Sequence, residues 1–138
     1  MPTARVNLKK LWWAGPLTVL AAIIGVLIVR AIAMAVLTPP YGPGLAMIML
    51  PIVLTLVLCT GAVLVFAWVG RVAKNPVRTY LIISAAFLAL SFLPDLAVVS
   101  AGFPGAGWPY AITTMTMHVV AGAITVSMLT KLTVAESA

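Results

Sequence analysis

The sequence predicts an all-α membrane protein with four transmembrane helices in an antiparallel bundle and both termini cytoplasmic. Three observations carry this. Of 138 residues, 64% are hydrophobic and only 7% charged, whereas soluble domains carry about 25% charged residues. A chain this short has too much surface for its volume to hide so much apolar area from water. Four apolar runs reach the roughly 20 residues a helix needs to cross a hydrocarbon core. Lysine and arginine gather at alternate connections. The length fits a single domain, residues 1–138.

The first predicted helix covers residues 11–38. Arg5, Lys9 and Lys10 precede it, with Trp12 and Trp13 at its start. A cleaved signal peptide is the competing reading of this segment. Its apolar run exceeds the usual stretch of about 7–15 residues, and Arg30 precedes the small residues "AIAMA", so we read a retained helix. "TPPYGPG" (38–44) breaks the chain without charge. The second helix follows at 45–70. The basic connection "GRVAKNPVR" (70–78) brings Arg71, Lys74 and Arg78, with Pro76 placed to start the next helix. The third helix is expected at 79–102. "GFPGAGWPYA" (102–111) is again rich in Pro, Gly and aromatics, and the fourth helix runs over 110–130, followed by Lys131.

This distribution sets the direction. The side bearing Arg5, Lys9, Lys10, Arg71, Lys74, Arg78 and Lys131 should be cytoplasmic and meet lipid headgroups. Trp12, Trp13, Trp68 and Tyr80 then fall at the inner interface, and Tyr41, Trp108 and Tyr110 at the outer one, as an aromatic belt requires. The net charge of +6 is confined to these helix flanks. That suits membrane lipids as partners and does not suit nucleic acid, which needs a broad basic patch. The single cysteine, Cys59, allows no intrachain disulfide.

Three ionisable groups lie inside the spans: Arg30, Asp95 and His118. Each is costly there, and each is a functional-site hypothesis. At about 1.5 Å per residue, Arg30 stands roughly 28 Å above Leu11, Asp95 roughly 25 Å above Arg78, and His118 roughly 20 Å above Lys131. Opposite charges at one level in a medium of low dielectric should meet. We therefore expect an Arg30–Asp95 ion pair, against the alternative that Arg30 snorkels to the headgroups.

Helical spacing puts Pro51, Thr55, Cys59 and Ala62 on one stripe of the second helix. Ser84, Leu88, Ser91, Asp95 and Gly102 share a stripe of the third, and Thr114, His118, Gly122 and Thr125 a stripe of the fourth. Small and weakly polar residues on one face mark the side turned to other helices, either within the chain or in a homo-oligomer or partner protein.

Met115 and His118 share a face, and thioether plus imidazole suits Cu(I) or haem iron. Methionine is also an ordinary packing residue, and neither a second histidine nor a CxxCH motif is present. No metal site and no cofactor are predicted; haem, copper and a quinone stay open. HExxH, GxSxG, P-loop and dinucleotide motifs are absent. No catalytic residue is assigned, and the reading leans away from an enzyme.

The stretches "LKKLWWAGPLTVLAAIIGVLIVR", "NPVRTYLIISAAFLALSFLPDLA" and "TTMTMHVVAGAITVSMLTKL" resemble a family of uncharacterised bacterial four-helix membrane proteins, a domain of unknown function. The matching features are the basic-aromatic start of the third helix, Pro94, and His118. The resemblance implies the bundle, a bacterial inner (plasma) membrane and some interest in His118, and it implies no substrate. Two roles follow. The expected one is a structural or accessory subunit of a larger membrane assembly. The alternative is a protein that binds or moves a small molecule, proton or metal at a polar site in the outer half.

Overall fold

The computed structural model describes residues 6–134, so Arg5 lies outside the described residues. A single 3-10 turn, Leu8–Lys10, leads into α1 (Leu11–Val36). A short α2 (Pro43–Ala46) precedes three long helices: α3 (Met49–Val72), α4 (Pro76–Ser100) and α5 (Trp108–Thr133). The four long helices are long and apolar enough to cross a membrane. The expected segments and the observed ones agree to within a few residues. The largest shift is at the second run, where residues 43–46 form a separate turn of helix and α3 begins at Met49. Pro76 and Pro109 stand in the first turns of α4 and α5, where a missing N–H costs nothing and the fixed φ favours helix.

The bundle has two ends. Lys9, Lys10, Arg71, Lys74, Arg78 and Lys131 cluster at the starts of α1 and α4 and the ends of α3 and α5, here called the basic end. The proline-glycine connections form the loop end. Around the bundle, α1 packs on α3 and α5, and α4 packs on α3 and α5, leaving α1 and α4 diagonal.

The α1 surface explains its tight seating. Ala14, Thr18, Ala22 and Val26 recur at intervals of four and are buried, forming a narrow ridge of small side chains that lets backbones approach. Gly25 extends this ridge: a methyl there would stand 2.6 Å from Ile124 Cδ1 and 3.1 Å from Val120 Cγ1 of α5. At the basic end Asn7 N–H donates to the Thr133 carbonyl at 2.8 Å, and Val6 and Val134 form an isolated bridge. Phe66, Val69, Tyr80 and Leu129 fill the core beneath.

At the loop end the two connections pack backbone on backbone. Gly105 has φ +74, and a Cβ there would run into the Pro40 carbonyl and the Tyr41–Gly42 backbone. Only glycine meets both conditions without strain. Tyr110 lies under Gly42 and Gly44, and Leu45 is fully buried beside it.

The expected aromatic belts need one correction. Trp12, Trp68 and Trp108 are exposed as foreseen, but Tyr80 and Tyr110 are buried. Tyr80 stacks edge-on against Phe66 with centroids 4.7 Å apart. The Tyr41 hydroxyl turns back to donate to the Met34 and Leu37 carbonyls, both at 3.3 Å. Those carbonyls belong to the last turn of α1 and its C-cap and lack helical donors. A phenol at a helix end serves such groups as readily as it serves lipid headgroups.

Candidate functional site

The polar stripes predicted on three helices converge. A cavity of about 540 Å³ lies between α3, α4 and α5, within the size range of small-molecule sites. Pro51, Thr55, Cys59 and Ala62 of α3 line it. So do Ser84, Leu88, Ser91 and Asp95 of α4, and Thr114, His118, Gly122 and Thr125 of α5. Gly102 alone departs from its stripe; it has φ +69 and ends α4 at the surface. These faces were expected to mediate close helix contacts. They enclose a cleft instead.

The cleft is long. Tyr80 to Asp95 on α4 and Leu50 to Val65 on α3 are each fifteen residue steps apart along its wall, or about 22 Å of helix. It is also open sideways. Val57 (60% exposed) and Phe87 (54%) line it while facing outward, whereas the α5 wall (Thr114, Met117, Thr125) is buried. The opening therefore lies at the α3–α4 seam. Tyr80, its ring edge-on to Phe66, is the lining residue of α4 nearest the basic end.

Charge is confined to one place. Asp95 is 7% exposed, and its Oδ2 lies 3.5 Å from His118 Nδ1. That separation suits an ion pair but the atoms are not aligned for a hydrogen bond. Among the described residues neither atom has a hydrogen-bond partner. Buried polar atoms without partners are rare and call for an explanation. The two residues start at different depths, Asp95 five residues from the end of α4 and His118 ten from the start of α5. They meet because Cα–Cβ bonds lean toward a helix N-terminus. In antiparallel helices this tips Asp95 inward and His118 outward. The His118 ring lies parallel to Phe92, centroids 6.4 Å apart. Pro94 has no N–H to give to the Leu90 carbonyl one turn back, which leaves that carbonyl without its helical donor.

The expected Arg30–Asp95 ion pair is not formed. Arg30 Nε donates to the Leu45 carbonyl at 3.0 Å, anchoring α1 to α2. Equal height was the argument for pairing, but α1 and α4 are diagonal, and height says nothing about position around the bundle. Nor does the structure bring Met115 to His118's cavity. Met117, on the neighbouring face, lines it instead. Among the described residues no group of three His, Cys, Asp or Glu could hold a metal.

Tyr80 belongs to this site and escaped the sequence reading. It lines the cleft toward the basic end, and its hydroxyl has no hydrogen-bond partner among the described residues. Extending the Ser84–Leu88 spacing by one turn toward the basic end would have reached it. Cys59 is less open: the Thr125 hydroxyl donates to its sulfur at 3.4 Å.

Residues 2–134 match a family described as a family of unknown function, DUF6069. The chain belongs to DUF6069. No curated protein and no solved structure matches it. In this DUF6069 member the acid–imidazole pair and the cleft it terminates are the features with chemical potential.

Proposed function

We propose that this integral membrane protein binds an amphiphilic molecule that enters sideways from the bilayer between α3 and α4. The observation that carries this is an apolar, laterally open cleft ending in the Asp95–His118 pair, whose facing atoms, Oδ2 and Nδ1, lie 3.5 Å apart and make no hydrogen bond. An apolar body would fill the cleft, and a polar head would satisfy the pair. Such a division, mostly hydrophobic lining with a few convergent polar groups, is typical of ligand sites. Native mass spectrometry of protein extracted in mild detergent tests it. A co-purifying amphiphile, lost in a variant with the cleft filled, is the expected result. Equal retention by that variant would overturn the reading.

The accessory-subunit role rests on α4, where only Pro76, Tyr80 and Asp95 are buried. Leu81, Ile82, Leu90 and Leu93 face outward, a surface that suits acyl chains or another protein's helix. The same spectra decide between them, since a subunit would appear in a complex of defined stoichiometry.

The basic end is proposed to face the cytoplasm of a bacterium, with the bundle in its inner membrane. Lys9, Lys10, Arg71, Lys74, Arg78 and Lys131 support this by the charge bias of short loops. Cysteines placed at Lys74 and at Phe103 should label from opposite sides of sealed vesicles. Labelling of Phe103→Cys from the cytoplasmic side would reverse the topology.

A further inference from the structure

Resting on the cleft reading above, we propose that the Asp95–His118 pair holds one positive charge at a time, either a proton on His118 or the head of an amphiphilic organic cation lying in the cleft.

The charge balance of the bundle carries this. Asp95 is the only carboxylate side chain among residues 6–134. It is buried in a helix long and apolar enough to cross a membrane, where an ionised group without a counter-charge is costly. Among the described residues no fixed cation meets it. Arg30 gives its Nε–H to the Leu45 carbonyl on the α1 side. The helices that pack on α4 are α3 and α5. The cleft wall of α3 offers one titratable group, Cys59, whose sulfur accepts from the Thr125 hydroxyl. The wall of α5 offers Tyr110 and His118, and α4 itself adds Tyr80. Thiols and phenols are ordinarily neutral near pH 7. His118, with Nδ1 3.5 Å from Oδ2, is therefore the group facing Asp95 that can become positive. Imidazoles gain and lose that charge between about pH 5 and 8.

The site thus has two charge states. With His118 protonated the pair is neutral overall, and the imidazolium repels a second cation. With His118 neutral the carboxylate keeps its charge and faces an apolar cleft. A cationic head then restores neutrality, whereas an alcohol or a carbonyl leaves the charge in place and an anion adds to it. His118 is placed for this exchange, since its side chain is 30% exposed against 10% for Asp95 and both line the cleft.

The remaining walls select the kind of cation. Val57, Leu58, Val65, Phe87 and Leu88 offer no side-chain oxygen to replace the water shell of an inorganic ion. An organic ammonium carries its own hydrocarbon cover, and its tail lies along the same side chains. Binding is then an exchange in which the ammonium enters from the bilayer and the proton leaves His118 for water.

Isothermal titration calorimetry on purified protein in nanodiscs of neutral lipid tests this, with probes that share one alkyl tail and end in a trimethylammonium, an alcohol or a sulfonate. Empty nanodiscs supply the partitioning baseline. At about pH 8.5, above the imidazole range, the ammonium should bind roughly tenfold or more tightly than either other probe. Its affinity should fall as pH is lowered, approaching about tenfold per pH unit, the limit for one competing proton. Buffers of different ionisation enthalpy should show that proton released on binding. Asp95→Asn should reduce the ammonium to the affinity of the alcohol, and Asp95→Ser serves if the asparagine variant does not fold. His118→Gln should keep ammonium binding and lose its dependence between about pH 6 and 8. Equal binding of alcohol and ammonium, tighter binding of the sulfonate, or unchanged proton release in His118→Gln would overturn the proposal. Gly61→Trp, at a cleft-lining position where an added Cβ meets nothing within 4 Å, separates it from the cleft reading. If the unsubstituted protein binds all the probes alike and Gly61→Trp blocks them, the cleft stands and the charge assignment falls. If Gly61→Trp leaves binding intact, or no probe binds, the cleft reading fails as well.

Discussion

The α1–α5 seam and the α3–α4 seam use similar residues to opposite ends. Along α1, Ala14, Thr18 and Ala22 are buried, and a methyl added at Gly25 would stand 2.6 Å from Ile124 Cδ1 of α5. Along the cleft, Gly61 has nothing within 4 Å of an added Cβ, and Gly122 has only Leu88 Cδ1 at 4.0 Å. Small residues therefore do not by themselves specify close packing in a membrane protein. They permit it where the partner helix follows, as α5 does. Where the partner is held off, as at the α3–α4 opening, they leave room for a ligand.

The contrast can be broken by substitution, and the largest effect should come at the loop end. Gly105→Ala combines a left-handed backbone with collision against the Pro40–Gly42 backbone. We expect a loss of roughly 3 kcal/mol, seen as a lower midpoint in denaturant unfolding. Ala22→Leu, at a fully buried position on α1, should cost about 1–3 kcal/mol by overpacking. Ala62→Leu in the cleft should change stability by less than about 1 kcal/mol while impairing ligand binding, because space is present. Gly61→Ala should be the mildest, raising stability by about 0.5–1 kcal/mol through backbone entropy without a clash. If Ala22→Leu and Ala62→Leu proved equally costly, the two seams would not differ as described.

Much of this architecture was legible from the chain. Uninterrupted apolar runs leave helix as the available span, and Pro76 and the Pro/Gly stretches mark the breaks. Ser84, Leu88, Ser91 and Asp95 announced a special face because weakly polar groups are avoided against lipid. What that face adjoins was not legible. Helix rise gives height and spacing gives a face, but neither tells which helices are neighbours. Arg30 and Asp95 were thus matched by level while the bundle set them diagonally apart, and His118, at a different level on the adjacent helix, became Asp95's neighbour. Tyr80 and Tyr110 were read as interface residues because phenols favour that zone. The Phe66 ring and the Gly42–Gly44 backbone drew them inward instead.

The junction of Asn7 with Thr133 at the basic end has a consequence for biosynthesis. The tight seam joins the first long helix to the last, so its contacts are the most distant in sequence. During synthesis α1 enters the bilayer with its ridge of small residues unpartnered, and α3 and α4 follow as a hairpin before α5 exists. Contacts between distant segments form late. The helix that supplies His118 therefore also locks α1 in place, and the acid–imidazole pair is completed only in the step that closes the bundle.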